Sequence, residues 1–117
     1  MKNASFNSDY ARYYDIFNRD KDYYKEIEFL ESVFRKYSGI NLRKILNLGC
    51  GTGLHEFFLS KKGYNLTGLD LSEDMIEIAR SRKIQNTEFL VANMTDFSLN
   101  KKFDACISMF ASFGYFL

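Results

Sequence analysis

The sequence predicts an α/β fold in which a parallel β-sheet carries helices on both faces. Short apolar segments typical of buried strands alternate with segments whose apolar residues recur at helical spacing. One of these strands, residues 44–48, ends in a glycine-rich turn that opens directly into a helix. Strands that alternate with helices form βαβ units, and their right-handed crossovers make the strands parallel.

The composition excludes several classes of protein. With 117 residues, 46% of them hydrophobic, the chain is long enough for one domain with a buried core. Sixteen basic and fifteen acidic residues leave a net charge of +1, which gives no support for electrostatic binding of nucleic acid. No stretch is apolar enough for a membrane span, and the polar N-terminus does not resemble a signal peptide. We therefore predict a cytoplasmic protein without a membrane partner.

The two cysteines and the single histidine are predicted to be structural. In the cytoplasm both cysteines are expected to be reduced. Two thiols alone form neither a zinc site nor a redox motif, so Cys50 and Cys106 are interpreted as core residues, and no metal site is predicted. His55 is a weaker candidate for a general base than for a structural residue.

The first part of the chain is predicted to contain an arm and a helix. Residues 3–19 form an aromatic-rich arm, for which we predict a short helix over 9–17. Between Asp20 and Tyr37 the apolar residues are spaced four and three apart, which predicts a helix with one apolar face. Gly39 is suited to end this helix.

The rest of the chain divides into four apolar segments with helices between them. The strands are predicted at residues 44–48, 64–69, 87–92 and 103–109. Helices are predicted at residues 52–62 and 72–83. Ser72 is suited to cap the second of these helices, whose first turn is acidic and whose last turn is basic, as the helix dipole favours.

The turn after the first strand is the principal candidate for a binding site. It holds Gly49, Gly51 and Gly53 at alternate positions. Glycine tolerates a positive φ and lets a ligand approach the backbone closely, and the helix that follows points free N–H groups toward the turn. We predict a ligand here. The alternative is an ordinary tight connection between a strand and a helix.

The spacing of the glycines separates several kinds of nucleotide site. A dinucleotide-binding fingerprint starting at Gly49 would need a small residue where Leu54 stands, and a P-loop would need a Gly-Lys-Ser/Thr triplet that the chain lacks. Asp70 ends the second predicted strand, 21 residues after Gly49. This is close to the offset of about 20 residues expected for a carboxylate that binds a ribose. As an alternative, Asp70 caps a turn or helix.

Gly-x-Gly-x-Gly after a strand, with an acidic residue at the end of the next strand, resembles motif I of the class I S-adenosylmethionine (SAM)-dependent methyltransferases. The resemblance implies a Rossmann-like sheet, which in that family has seven strands in the order 3-2-1-4-5-7-6. This chain supplies the first four, so we expect the order 3-2-1-4 and interpret the sequence as truncated after the fourth strand. We also expect a homodimer or a domain-swapped oligomer that covers this apolar edge strand.

The resemblance assigns cofactor contacts to the glycine turn. The carbonyl of Gly49 is implied to accept a hydrogen bond from the SAM amino group. The backbone of Cys50, Gly51 and Gly53 is implied to approach the methionine part. The family usually has Asp or Glu two residues before the first glycine, where this chain has Asn47. Asn47 keeps the shape of that residue and loses its charge, which weakens the expected affinity for a cationic cofactor.

Residues after the second and third strands are implied to bind the adenosine part of SAM. Asp70 would accept from both ribose hydroxyls, and Leu71 would pack against the adenine. Asn93 stands where relatives often have an acidic residue, and its amide oxygen can still accept from the adenine amino group. Met94 would donate its backbone N–H to the ring, and Asp96 is the alternative acceptor.

The resemblance extends to both ends of the chain. Residues 14–17 and 21–23 look like the N-terminal arm of amino-sugar N-methyltransferases, which folds over SAM as a lid. Tyr14 is then a weak catalytic candidate, because a tyrosine of that arm lines the active site. Residues 103–115 resemble the fourth strand and its exit loop, where the backbone of Met109 would contact the methionine part.

Together these features predict a SAM-dependent methyltransferase acting on a small-molecule acceptor, with an amine favoured. Residues 1–39 would form the arm and helix of a cofactor lid, and residues 40–117 an incomplete SAM-binding core. The alternative is a non-catalytic SAM-binding or assembly fragment that lacks the acceptor site. Whether the chain alone is active stays open. A nicotinamide-dependent dehydrogenase is disfavoured by Leu54.

Overall fold

A computed structural model describes residues 23–37, 41–93 and 98–108 of the chain. In this part three helices and four strands follow one another along the sequence. They are α1 (Tyr23–Tyr37), β1 (Lys44–Leu48), α2 (Leu54–Lys61), β2 (Asn65–Asp70), α3 (Glu73–Ser81), β3 (Thr87–Val91) and β4 (Ala105–Ile107). Each agrees with a predicted element to within a few residues. The fourth strand begins two residues later than predicted, after Asp104.

The four strands form one parallel sheet in the order β3-β2-β1-β4, which confirms the predicted order. Leu48 at the end of β1 pairs with Leu69, and Asp70 at the end of β2 pairs with Val91. The carboxyl ends of β1, β2 and β3 therefore lie side by side. The glycine turn follows the end of β1, Asp70 is the last residue of β2, and Asn93 lies just beyond β3. All three therefore belong to one edge of the sheet.

The core is built from alternate residues of the strands. Ile45 and Leu66 are buried in a cluster with the apolar face of α1, which contributes Ile27, Leu30 and Phe34. The next residue of β1, Leu46, belongs to a separate cluster with Leu69 and Cys106. The helical spacing that predicted α1 is thus the spacing of the side chains that it buries. Because α1 shares a core with the strands, it packs as part of the sheet domain.

A single carboxylate fastens β4 to β1 at the amino end of the sheet. One oxygen of Asp104 accepts hydrogen bonds from the backbone N–H groups of Arg43 and Lys44, each at 2.8 Å. These bonds lower the pKa of Asp104, with the amide of Lys44 as the larger cause. The N–H of Asp104 in turn donates to the carbonyl of Lys44 at 2.8 Å.

No helix in the described ranges is long and apolar enough to cross a membrane. Both cysteines are buried and unbridged, in agreement with their interpretation as core residues.

Candidate functional site

All three glycines of the turn adopt a backbone conformation that other residues avoid. Their φ values are 72° at Gly49, 58° at Gly51 and 83° at Gly53. The turn is also fixed to the neighbouring strand, because the N–H groups of Gly49 and Cys50 both donate to the carbonyl of Leu69, at 2.8 and 2.9 Å. The glycines therefore specify the path of the backbone, independently of any ligand.

Gly53 has a second reason to be glycine. A Cβ atom at this position would lie 2.7 Å from Cζ of Phe89 and 3.1 Å from Cβ of Ala79. The start of α2 therefore packs directly against β3 and α3. In a dinucleotide-binding fingerprint the close contact would fall one residue later, at Leu54, which is too large for it; in this structure the contact lies at Gly53.

The side chain of Cys50 faces the sheet. It is only 6% exposed. A Cβ atom on Gly68 of β2 would come within 2.9 Å of its sulfur, so Gly68 makes the room for it. Burial is the main cause that raises the pKa of the thiol, and the charges of Glu56 and Asp70 raise it further. The predicted contact of Cys50 with the methionine part of SAM could therefore involve only its backbone.

An arginine that the sequence analysis did not identify supports the turn from the end of α3. Nε of Arg82 donates to the carbonyl of Thr52 at 2.7 Å, and Nη2 lies 3.3 Å from its hydroxyl oxygen. Thr52 itself is buried. In the sequence the basic residues near this position are explained by the helix dipole alone, so only the fold reveals this contact.

Asp70 makes the turn-capping contacts that the sequence offered as one alternative, and its contact with a ribose stays a prediction. One carboxylate oxygen accepts from the N–H of Gly51 at 2.8 Å, and the other accepts from the N–H of Ser72 at 2.9 Å. The residue is 8% exposed. A carboxylate has about four lone-pair sites. Two are used by the backbone, so Asp70 keeps acceptor capacity for the hydroxyls of a ligand.

Asn47 has an acidic partner that sequence reasoning did not assign to the site. Nδ2 of Asn47 donates to Oε2 of Glu56 at 2.7 Å. The two residues are 1% and 0% exposed. Burial raises the pKa of Glu56 to about 7, with the hydrogen bond from Asn47 acting against this shift and the charge of Asp70 adding to it. The acidic side chain that is missing at position 47 therefore has a counterpart on the first turn of α2.

The remaining predicted residues fall into two groups. Leu71 is 65% exposed and follows Asp70 directly, and Asn93 is exposed just beyond β3. Both lie at the same edge of the sheet as the glycine turn. The other predicted site residues lie outside the described part of the chain, and these are Tyr14, Met94, Asp96 and Met109.

His55 connects two helices. Its Nε2 lies 2.8 Å from Oε2 of Glu26, and its ring packs edge-on against Tyr23 with the ring centroids 4.9 Å apart. Both partners belong to α1. This geometry favours the structural interpretation of His55.

A groove of about 590 Å³ lies at the opposite end of the sheet. Its lining includes Lys44, Asn65 and Thr87, the first residues of three strands. Ligands of open parallel sheets bind beyond the carboxyl ends of the strands. We therefore place the candidate site at the edge that carries the glycine turn and Asp70.

Comparison with known proteins identifies the family of this chain. A model of the methyltransferase domain family matches residues 45–117, from β1 through the glycine turn to the last residue. The chain belongs to this family. The resemblance of its glycine motif to the SAM-dependent methyltransferases is thereby confirmed.

Relatives of this methyltransferase domain include enzymes that act on amino sugars. A Streptomyces venezuelae protein named dTDP-3-amino-3,4,6-trideoxy-alpha-D-glucopyranose N,N-dimethyltransferase is 38% identical over 109 residues, which cover 92% of this chain and 45% of the relative. The solved structure of the sugar N-methyltransferase KedS8 from a Streptoalloteichus species matches with a TM-score of 0.71 and 35% identity. This match covers 81% of this chain and 38% of KedS8.

A third match carries a ligand. The plantazolicin methyltransferase BpumL, solved with a triazolic desmethylPZN analog and SAH (S-adenosylhomocysteine, the demethylated product of SAM), matches with a TM-score of 0.68 and 28% identity. The match covers 82% of this chain and 38% of BpumL. This chain thus spans less than half the length of each of these proteins.

Proposed function

We propose that this domain binds SAM and that the protein carrying it transfers the methyl group to a small-molecule amine. The observation that carries the proposal is the arrangement of Asp70. Its buried carboxylate ties the glycine turn to the start of α3 and retains lone pairs for two further hydrogen bonds. A ribose presents two neighbouring hydroxyl groups, which match this remaining capacity.

The described residues fit the other parts of SAM. Leu71 offers an exposed apolar surface beside Asp70, suited to the face of an adenine ring. Asn93 offers an amide oxygen that suits the adenine amino group. Gly49 is only partly buried and has no side chain, which allows a ligand to approach its backbone closely. Contacts from Tyr14, Met94 and Met109 stay predictions.

Bound SAM would supply an electrophilic methyl group on a sulfonium. The described residues would hold the adenosine and methionine portions of SAM in a fixed orientation. Holding two reactants in the correct orientation can lower the activation free energy of a bimolecular reaction by up to roughly 7–11 kcal/mol. The mechanism proposed for this chain is therefore catalysis mainly by positioning.

The class of acceptor is proposed from the relatives. Two curated relatives, at 38% and 34% identity, are named as dimethyltransferases of dTDP-linked amino sugars. We therefore propose the amine of a nucleotide-linked amino sugar as the acceptor. The cofactor lid of residues 1–39, the core of residues 40–117, the homodimer and the cytoplasmic location stay predictions.

The test of this function is a calorimetric titration of SAM and SAH into the full-length protein, with NADH as the competing ligand class. We expect SAM and SAH to bind and NADH not to bind. A transfer assay with radiolabelled SAM and a dTDP-amino sugar then examines the acceptor. Binding without transfer to any amine would support the non-catalytic alternative, and binding of NADH alone would contradict the proposal.

Leu71→Ala is expected to weaken SAH binding roughly tenfold, because three carbon atoms that pack against the adenine are removed. Phe29→Ala is the matched control, since Phe29 is a similarly exposed apolar residue, at 59%, on α1. We expect the control to bind SAH like the unchanged protein. Equal Kd values for Leu71→Ala and the control would rule out the adenine contact.

A further inference from the structure

A buried pair of polar side chains closes the base of the glycine turn. Asn47 precedes the turn in β1, and Glu56 follows it in the first turn of α2. The hydrogen bond of 2.7 Å between them joins the two ends of the turn. The buried side chains of α2 are His55, Glu56 and Leu59. Glu56 is the only carboxylate among these three, and the packing of the helix does not require an acidic residue there.

This pair is incompletely satisfied. Oδ1 of Asn47 and Oε1 of Glu56 are both buried without a hydrogen-bond partner. A buried carboxylate with an unused oxygen destabilises a fold. An apolar residue or an amide at position 56 would fill a purely structural role at lower cost. Both unused oxygens carry partial or full negative charge, so a positive charge nearby would stabilise the pair even without direct contact.

The carboxylates of Asp70 and Glu56 near the turn also favour a ligand with positive charge. Asp70 is held by backbone amides, and Glu56 is held by an amide side chain. In the described part of the chain, no basic side chain lies within ion-pair distance of either carboxylate. The thiol of Cys50 between them stays protonated. Among the residues that the structure describes, two carboxyl groups without a basic partner thus flank the turn that the proposed ligand approaches.

We propose that Glu56 provides the negative charge that attracts the amino group of the methionine part of SAM, with Asn47 orienting its carboxylate. The inference rests on the proposed binding of SAM. Because Glu56 is fully buried, it is a positioning residue whose charge acts across the backbone of the turn. The low dielectric of the interior strengthens such an attraction relative to water.

The experiment compares two ligands by calorimetry in the full-length protein. SAH carries the ammonium group, and methylthioadenosine has the same adenosine and sulfur without the amino-acid part. We expect Glu56→Gln, which keeps the shape and removes the charge, to weaken SAH binding tenfold or more. Binding of methylthioadenosine is expected to be unchanged.

The double variant Asn47→Asp/Glu56→Gln is the matched control. It exchanges the amide and the carboxylate within the pair, so the hydrogen bond between them is kept and the charge returns to β1. We expect this variant to recover most of the affinity for SAH. A pair that served only to hold the turn together would show no such dependence on charge.

Proton release on binding gives a second readout. The pKa of Glu56 is about 7 in the free protein, so part of the carboxyl is protonated near neutral pH. An arriving ammonium lowers this pKa. SAH binding should therefore release protons, and its affinity should rise with pH up to about 7 and then level off. In Glu56→Gln this release should be absent, as measured by titration in buffers of different ionisation heat.

Stability separates this effect from misfolding. The pKa of Glu56 is raised above its unfolded value of 4.5, so the unchanged protein loses stability as pH rises from 4.5 through about 7. Glu56→Gln lacks this loss and should be the more stable protein at pH 8 in urea denaturation. A variant that binds SAH more weakly while being more stable has lost a functional charge.

Three results would overturn the inference. SAH could bind Glu56→Gln as tightly as the unchanged protein. The substitution could weaken both ligands equally, which would assign Glu56 to the shape of the turn. If neither ligand bound the unchanged protein, the proposed function would fail and the inference with it.

Discussion

Asp70→Ala is expected to abolish measurable SAH binding and to lower the free energy of unfolding. The carboxylate accepts from two backbone N–H groups, those of Gly51 and Ser72, and all three residues are buried. Each buried amide left without an acceptor costs about 1–3 kcal/mol, so the total loss should be about 2–6 kcal/mol. Binding is lost for two reasons, because the ribose loses its acceptor and the turn loses its anchor. Urea denaturation measures the stability, and calorimetry measures the binding.

Asp104→Ala is the matched control for this prediction. Asp104 also accepts from two backbone N–H groups, but it is exposed and lies at the amino end of β1. Its removal should cost less stability and leave the Kd for SAH unchanged. If Asp70→Ala bound SAH normally while remaining folded, Asp70 would be no more than a turn-fixing residue.

Gly53→Ala is expected to destabilise the fold by about 2–5 kcal/mol. A φ of 83° costs a non-glycine residue about 1–2 kcal/mol. The added methyl group must also displace Phe89, whose Cζ would lie 2.7 Å away. Crowding of this kind typically adds about 1–3 kcal/mol. Thermal and urea denaturation measure the sum.

Gly63→Ala isolates the first of these two contributions. Gly63 has a φ of 93°, and a Cβ atom there would meet nothing within 4 Å. The difference in stability between the two variants therefore reports the packing of Gly53 against β3 and α3. Equal losses for both variants would contradict the close contact described for Gly53.

The regular parts of the fold are predictable from local sequence. The apolar periodicity of α1 and the short apolar runs of β1 and β2 reflect the residues that these elements bury. The glycine spacing likewise marks the positions where φ is positive. Asp70 could be identified from its distance along the chain, because a helix and a strand of usual length lie between the glycine turn and the end of β2.

The contacts that complete the site are not predictable in this way. Arg82 reaches Thr52 across 30 residues, and Gly68 accommodates Cys50 from another strand. Glu56 has no local signal that distinguishes it from an exposed acidic residue in the first turn of a helix. Each of these contacts depends on which elements become neighbours in space, and local patterns do not contain that information.

The burial of Cys50 bears on which reagents can modify the glycine turn. Alkylating reagents, oxidants and cysteine-directed electrophiles react with the thiolate, and the thiol at the centre of the turn is both enclosed by β2 and held in its protonated form. A covalent inhibitor has no reactive sulfur at this turn. A compound that binds beside this turn must therefore gain its affinity from reversible contacts.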